Sequence, residues 1–460
     1  MRKQCCLIGF LFILGCAKEN ESPTTAFFGG QIINPSSEFV SLYKYDQRID
    51  SLPLDEENRF AKRYDSIRFG LFKMEHLPEK QMVIIEPGDS IWSRANMSDF
   101  NASLVFSGPG SGKNNFLMDT YLSIAQEGGF LSSKYALNAD VFGQIIDSLL
   151  QEKKTAWIDF SNQTQLTPLA QKITQAAYVY PYANRRERYA LIRGKSAIKT
   201  DSSYFNFRKF LNYGERDLVY FEPYITYMMS YLSQEALEEG QLFVQEKSKT
   251  EFNIKRIQLI DDRISNPVLR NVLARTVAFE ELLNFSNHLY HENFLQFFIA
   301  VNTSPYYLNE ILSLHASLIQ MEPGQMLPVV EMETNSGEII NSNEVFEGKR
   351  TVVYFWSQTQ MNHFKRTQER VKEYQKRFPK YRFVGVCIQP YNDLVRNYQS
   401  IMKIAPENQF ALVNFERASS EWVITLLNKG IIINENGQIL DGFGNFSSTS
   451  FVETLTENHR

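Results

Sequence analysis

TVVYFWSQTQMNHFKR, residues 351 to 366, is the stretch on which the fold turns. Its first six residues are β-branched or aromatic without interruption, the pattern of a strand buried on both faces. After Trp356 the period changes. Met361, Phe364, Val371, Tyr374 and Phe378 recur at helical spacing, with Lys and Arg between them. A strand feeding a helix leaves residues 357 to 363 at the carboxyl end of a sheet, where α/β folds place their sites. That turn offers amides, hydroxyls, Met361 and the imidazole of His363, and neither thiol nor carboxylate.

Working outward, residues 322 to 460 read as α/β. EPGQMLP leads into a strand pair around EMETNSGEI, then the strand at 351–356, a helix to about 378 and the strand RFVGVCI at 382–388. A helix at 392–404, the strand QFALVN, a helix at 416–427 and the strand GIIIN follow. Asn436-Gly437 between apolar runs signals a hairpin. Crossover helices imply parallel strands, and the hairpin adds antiparallel ones. The result is a mixed sheet covered by helices on both faces.

Upstream, residues 111 to 320 read as helical. Asn266-Pro267 opens one run with Pro in the first turn. Tyr220, Tyr224, Tyr227 and Tyr231 share a helical face, the mark of a core seam rather than a ligand groove. Arg185, Arg186, Arg188, Arg193, Lys195 and Lys199 cluster, as on a solvated helix face. Residues 27 to 110 carry short strands (GGQIIN, EFVSLYKY, SIRFGLFKM, QMVIIEPGDSIW, ASLVF) separated by turn residues, the texture of a β-sandwich.

The chain has 460 residues, enough for several domains. Its net charge of −4 supplies no basic field for nucleic acid. Arg2 and Lys3 precede an apolar run that ends Ile13-Leu14-Gly15-Cys16. This resembles the lipobox of bacterial lipoproteins, in which the signal is cut before a Cys that then carries lipid. Residues 1–16 are therefore expected to be a signal peptide with Cys16 lipidated, and 17–26 a polar tether. The membrane partner is reached through that lipid, and no later run has the roughly 20 apolar residues of a membrane span. Of the four cysteines, Cys5 and Cys6 leave with the signal and Cys16 is lipidated. Cys387 is then the one free thiol of the mature chain, set between Val386 and Ile388 and expected to be an inert buried residue.

Two motifs fail on inspection. Residues 107 to 114, SGPGSGKN, suggest a phosphate-binding loop, but Ser107 and Asn114 stand where that loop needs Gly and Ser or Thr. His288 and His291, three apart with Glu292 adjacent, lack an evident third ligand, so no metal and no cofactor are expected.

The region from about 320 resembles the thioredoxin-like domain of membrane-anchored envelope thiol–disulfide oxidoreductases of the TlpA/ResA type. The matching residues are Gly324, Leu327-Pro328, Gly337, Ile339, Gly348-Lys349, Phe355-Trp356 and residues 433 to 439, INENGQI. The earlier regions are similar to the β-domain and helical segment of Bacteroidetes-type lipoproteins, through Pro87-Gly88-Asp89-Ser90, Phe106-Ser107-Gly108 and residues 113 to 117. The resemblance implies a Cys-x-x-Cys after Phe-Trp and a cis-proline before the last hairpin. Laid onto this chain, the two thiols fall at Gln360 and His363, around Met361 and Asn362, and the proline falls at Asn428. Both thiols and the proline are missing.

The reading is a multidomain chain: an N-terminal all-β sandwich (27–110), a middle α-helical domain (111–320) and a C-terminal α/β thioredoxin-like fold (321–460). The implied role is an outer-membrane envelope lipoprotein that binds a peptide or protein partner, at its periplasmic or surface face, without the redox motif. The other reading is an atypical thiol–disulfide oxidoreductase of the cell envelope.

Overall fold

The computed structural model describes residues 24–65, 70–194, 203–238, 241–391, 395, 396, 399 and 404–457. The signal segment and Cys16 lie outside the described residues, as do most of the tether, most of the helix expected at 392–404, and Lys195 and Lys199. The first strand begins at Ala26, where the tether was expected to end.

Eight strands open the chain: β1 (Ala26–Ile33), β2 (Phe39–Lys44), β3 (Gln47–Pro53), β4 (Arg59–Tyr64), β5 (Gly70–His76), β6 (Glu79–Ile85), β7 (Ser90–Asn96) and β8 (Val105–Ser107). They form two four-stranded sheets, β4-β1-β7-β8 and β3-β2-β5-β6. Alternate residues of both face one core, with Phe28, Ile32, Phe60 and Ile91 from the first sheet and Val40, Leu42, Phe72 and Val83 from the second. This is the sandwich that the strand texture predicted. The run QMVIIEPGDSIW is not one strand. It breaks at residues 86–89, so β6 and β7 enter different sheets. Ala102 and Ser103 belong to a short helix, Phe100–Ser103, rather than to the strand expected there. β3 and β4, mostly polar and exposed, escaped the reading of the sequence.

The helical region comprises α1 (Ser111–Ser132), α2 (Ala139–Gln163), α3 (Pro168–Arg193), α4 (Glu222–Ala236), α5 (Thr250–Arg263), α6 (Pro267–Leu282), α7 (His291–Val301) and α8 (Pro305–Gln320). Thr167, Asn266 and Ser304 each cap a helix whose first residue is Pro. The cap oxygen accepts amide hydrogens that the first turn cannot satisfy internally. Tyr224 and Tyr227 are fully buried and pack on Tyr180, as a core seam should. Tyr220 lies ahead of α4 rather than on it, and its hydroxyl meets that of Tyr307. The basic cluster is only partly solvated. Arg186 is buried against Asp147 and the Gly143 carbonyl, and Arg185 donates to the Ile124 carbonyl, while Arg188 stays exposed.

The failed phosphate-loop motif joins sandwich to helices. Gly110 has φ +87°, and a Cβ there would fall 1.9 Å from Asp89 Oδ1, so only Gly fits. One turn on, Lys113 Nζ is buried 2.8 Å from Glu86 and 2.7 Å from Asp89. Asn114 pairs with both backbone groups of Ile84, and Asn115 with both of Phe106. The motif is a clamp that docks the start of α1 onto β6, β8 and the β6–β7 turn.

The last part holds β9 (Glu331–Thr334), β10 (Ile339–Asn341), β11 (Thr351–Trp356), α9 (Met361–Arg377), β12 (Arg382–Cys387), β13 (Gln409–Leu412), α10 (Phe415–Glu421), β14 (Lys429–Ile433), β15 (Ile439–Asn445) and α11 (Thr449–Glu457). The seven strands are ordered β10-β9-β13-β12-β11-β14-β15. β11, β12 and β13 run parallel, and β14 and β15 antiparallel. One face, with Val352, Tyr354, Trp356 and Ile432, is covered by Phe364 and Val371 of α9 and by Phe451 and Leu455 of α11. The other, with Val353, Phe355, Val384 and Ile431, joins one continuous core with Leu318 and Met321 at the end of the helical region. This is the strand–helix–strand and hairpin–helix arrangement expected of a thioredoxin-like region, confined to this part of the chain. The helix expected at 416–427 stops at Glu421. Trp422 turns inward to donate to the Pro328 carbonyl, and Val423 has φ +50°, which no helix continues through.

Candidate functional site

β11 is buried along its whole length, so the chain emerges only at the turn. Trp356 stacks on Phe364 at 4.0 Å between ring centroids, which fixes the angle between β11 and α9. The turn is pinned from beneath by Gln389, just past β12. Its Nε2 donates to the buried Ser357 Oγ at 2.8 Å, and its Oε1 accepts from the Gln358 amide at 3.1 Å. Gln358 Nε2 in turn donates to the Pro390 carbonyl. Ser357 and Thr359 hydroxyls meet at 2.8 Å. Gln389 was not singled out from the sequence, because nothing in a Gln two residues beyond a strand marks which neighbouring turn it will hold.

The residues that stand where the resemblance places the two thiols and the proline do not all meet. Gln360 and Asn362 are exposed, and Met361 packs partly against the α9 face of the core. His363 and Asn428 come together, 65 positions apart, with Nε2 and Oδ1 at 2.8 Å. An amide oxygen only accepts, so Nε2 carries the hydrogen of this bond. That Nδ1 is buried and has no hydrogen-bond partner, and neither has the Oε1 of Gln358. The turn therefore holds two unsatisfied polar atoms beside exposed amides, with Leu426 standing 71% exposed two residues before Asn428. Both unsatisfied atoms are out of solvent, so what the turn presents outward is the amides of Gln360 and Asn362 and the side chain of Leu426.

Cys387 ends β12 opposite Trp356 and is completely buried. Burial pushes its thiol up to about 12, although Gln389 and Gln358 bond to it. A thiolate is disfavoured there, and the sulfur has no path to a substrate disulfide. Lys429, next to Asn428, is also buried; burial pushes its amine down to about 7, opposed by the nearby Asp441. Its Nζ lies 4.8 Å from the centre of the Phe443 ring. Sequence reading missed Lys429 because a single Lys at a strand start ordinarily points to water.

No family model matches the chain, and no curated protein matches it. Solved structures similar to it include a putative thiol-disulfide oxidoreductase from Bacteroides vulgatus, at 16% identity over 30% of this chain and 97% of that one, with a TM-score of 0.26. The thioredoxin domain of a thiol-disulfide oxidoreductase from the same organism gives 18% identity over 30% and 99%, with a TM-score of 0.26. A putative thiol:disulfide interchange protein DsbE from Chlorobium tepidum gives 11% over 30% and 99%, with a TM-score of 0.22. These neighbours are thioredoxin-like, and each covers less than a third of this chain.

Proposed function

We propose that this chain is an envelope-anchored lipoprotein whose thioredoxin-like region binds a polypeptide partner and performs no thiol chemistry. One observation carries the reading. The positions that would hold the second thiol and the proline are occupied by His363 and Asn428, hydrogen-bonded to each other across 2.8 Å. A disulfide exchange cycle needs an accessible thiolate and a second sulfur to release the product. The turn has neither, and Cys387 is buried behind it. What remains is a carboxyl-end turn that exposes the amides of Gln360 and Asn362, suited to hydrogen-bonding an extended chain.

The test has two arms. The purified protein should show no insulin reduction with dithiothreitol as donor; turnover that disappears in Cys387→Ala would refute the binding role. A partner captured from the native envelope by the wild type should be lost with the double variant His363→Ala, Asn428→Ala, whose side chains are not part of the core. For the anchor, Cys16→Ser should move the protein from the detergent phase to the aqueous phase. Among the described residues no helix is long and apolar enough to cross a membrane, so a variant still retained there would sink the lipid-anchor reading.

A further inference from the structure

Three of the six histidines lie together, away from the turn. His288, His291 and His315, with Glu292 and Glu322, line a cavity of about 400 Å³. It is bounded by the 3-10 turn Phe285–Tyr290, the start of α7 and the end of α8. The spacing of His288 and His291 suggested one helical face. Instead the helix breaks between them, so that His291 is the first residue of α7. The break also brings His315 from α8 to within 5.9 Å of His291, centroid to centroid. That is the third imidazole which the local sequence could not supply.

His291 is the informative residue. It is 2% exposed, and its Nε2 is buried without a hydrogen-bond partner. Its ring does bond to the backbone at Asn284 and Glu281. With Nε2 orphaned, those bonds are made by Nδ1, which as donor to carbonyls holds the ring hydrogen. The Nε2 lone pair is then fixed in place on a residue that lines the cavity. A neutral imidazole whose other nitrogen donates to a carbonyl is how proteins present histidine to a metal. Glu292 and Glu322 make the surroundings anionic, and His315 and Glu322, seven apart, fall near the same face of α8 and its end.

We propose that this cleft binds a divalent cation of the zinc class, with His291 Nε2 as the fixed donor and His315 and Glu322 as the mobile ones. Among the described residues no three such groups already stand close enough to share an ion. Binding therefore draws the half-buried His315 and Glu322 toward His291, and the exposed His288 lines the same cleft. Glu322 begins the connector to the last sheet, where the Gly324 amide donates to the Ile439 carbonyl. An ion held there fastens α7 and α8 to that connector.

The experiment uses the tag-free protein titrated with Zn²⁺ by calorimetry and with Co²⁺ by visible absorption. Saturable binding of one ion, with the ligand-field bands of a four-coordinate site, is the expected result. His315→Ala and Glu322→Gln should each weaken binding on the order of tenfold or more without changing the circular dichroism. His363→Ala, at the other site, should leave binding intact. His291→Ala should abolish it, and if that variant does not fold, the His315 and Glu322 variants decide. No saturable binding of either ion, or binding indifferent to His315→Ala, would overturn the site and leave the His291 nitrogen to an ordered water.

Discussion

At the scale of single residues, two buried groups set what the turn region can do. Cys387 lies behind Trp356 with its thiol pushed up to about 12, so it should resist Ellman's reagent in the folded protein. Rapid labelling of the native protein at mildly alkaline pH would refute this, whereas labelling after denaturation is expected. Cys387→Ala should cost about 1 kcal/mol, a small packing loss read from the denaturant midpoint. Lys429 carries the opposite penalty. Its folded-state amine is pushed down to about 7 by burial. Below that pH both folded and unfolded chains hold the proton, and the folded state bears the whole cost of burying the charge. As pH rises from about 7 toward the ordinary lysine value of 10.5, only the unfolded chain keeps the proton, and the cost fades. Lys429→Met should therefore be more stable than the wild type near pH 6, by roughly 1.4 kcal/mol for each unit of the depression at most, and the advantage should shrink toward pH 10. A pH-independent difference between the two melting curves would refute it.

At the scale of elements, the start of α1 shows how a run of polar residues makes a joint. Lys113 is enclosed by Glu86 and Asp89, all three nearly out of solvent. Burial raises the Asp89 carboxyl even though Lys113 opposes the shift. Removing the cation strands two buried carboxylates, a loss of about 3–5 kcal/mol for a buried pair. Lys113→Met should thus lower stability by an amount of the same order as its neighbour Asn114→Ala. The latter leaves the amide and carbonyl of Ile84 without partners, at about 1–3 kcal/mol per stranded group. Chemical denaturation of both variants checks this, and a loss below about 1 kcal/mol in Lys113→Met would show that the ion triad is not a principal fastening. β11 and α9 are joined in another way, by the Trp356–Phe364 stack and by Gln389 beneath the turn. A clamp of this kind keeps residues 357–363 in place when no disulfide is there to brace them.

At the scale of the whole molecule, the cores do not respect the boundaries that composition suggests. Leu71 and Ile84 of the second sandwich sheet belong to the helical cluster, and that cluster runs on through Met321 into Val353, Phe355 and Ile431 of the last sheet. Tyr307 of α8 even reaches Asp46, in the turn between β2 and β3, at 3.0 Å. Residues 322–460 carry a full sheet with α9 and α11 on one face and α10 on the other, but that second face also leans on α8, which packs against α10. As an isolated fragment they should unfold cooperatively, yet at a lower temperature than the same region in the full chain. Exposure of that apolar face is the cause. A fragment that melts with the full chain, or one with no transition, would show that the shared core has been misjudged.

Much of the fold was legible along the sequence because it is written in local periods. An unbroken β-branched run announces a doubly buried strand, a helical period announces α9, Asn-Gly announces the last hairpin, and Pro after a capping residue announces α6. These signals depend on steric and hydrogen-bonding preferences of neighbouring residues, and neighbours are what a sequence displays. That residues 357 to 363 carry no thiol is likewise read directly from the sequence. What only the tertiary structure decided involves residues far apart in the chain. It set Asn428 against His363, carried Gln389 beneath Ser357, buried Lys429, folded Lys113 between Glu86 and Asp89, and brought His315 to His291. Each depends on which surfaces find it favourable to leave water together, a choice made by the whole chain at once and spelled by no single segment.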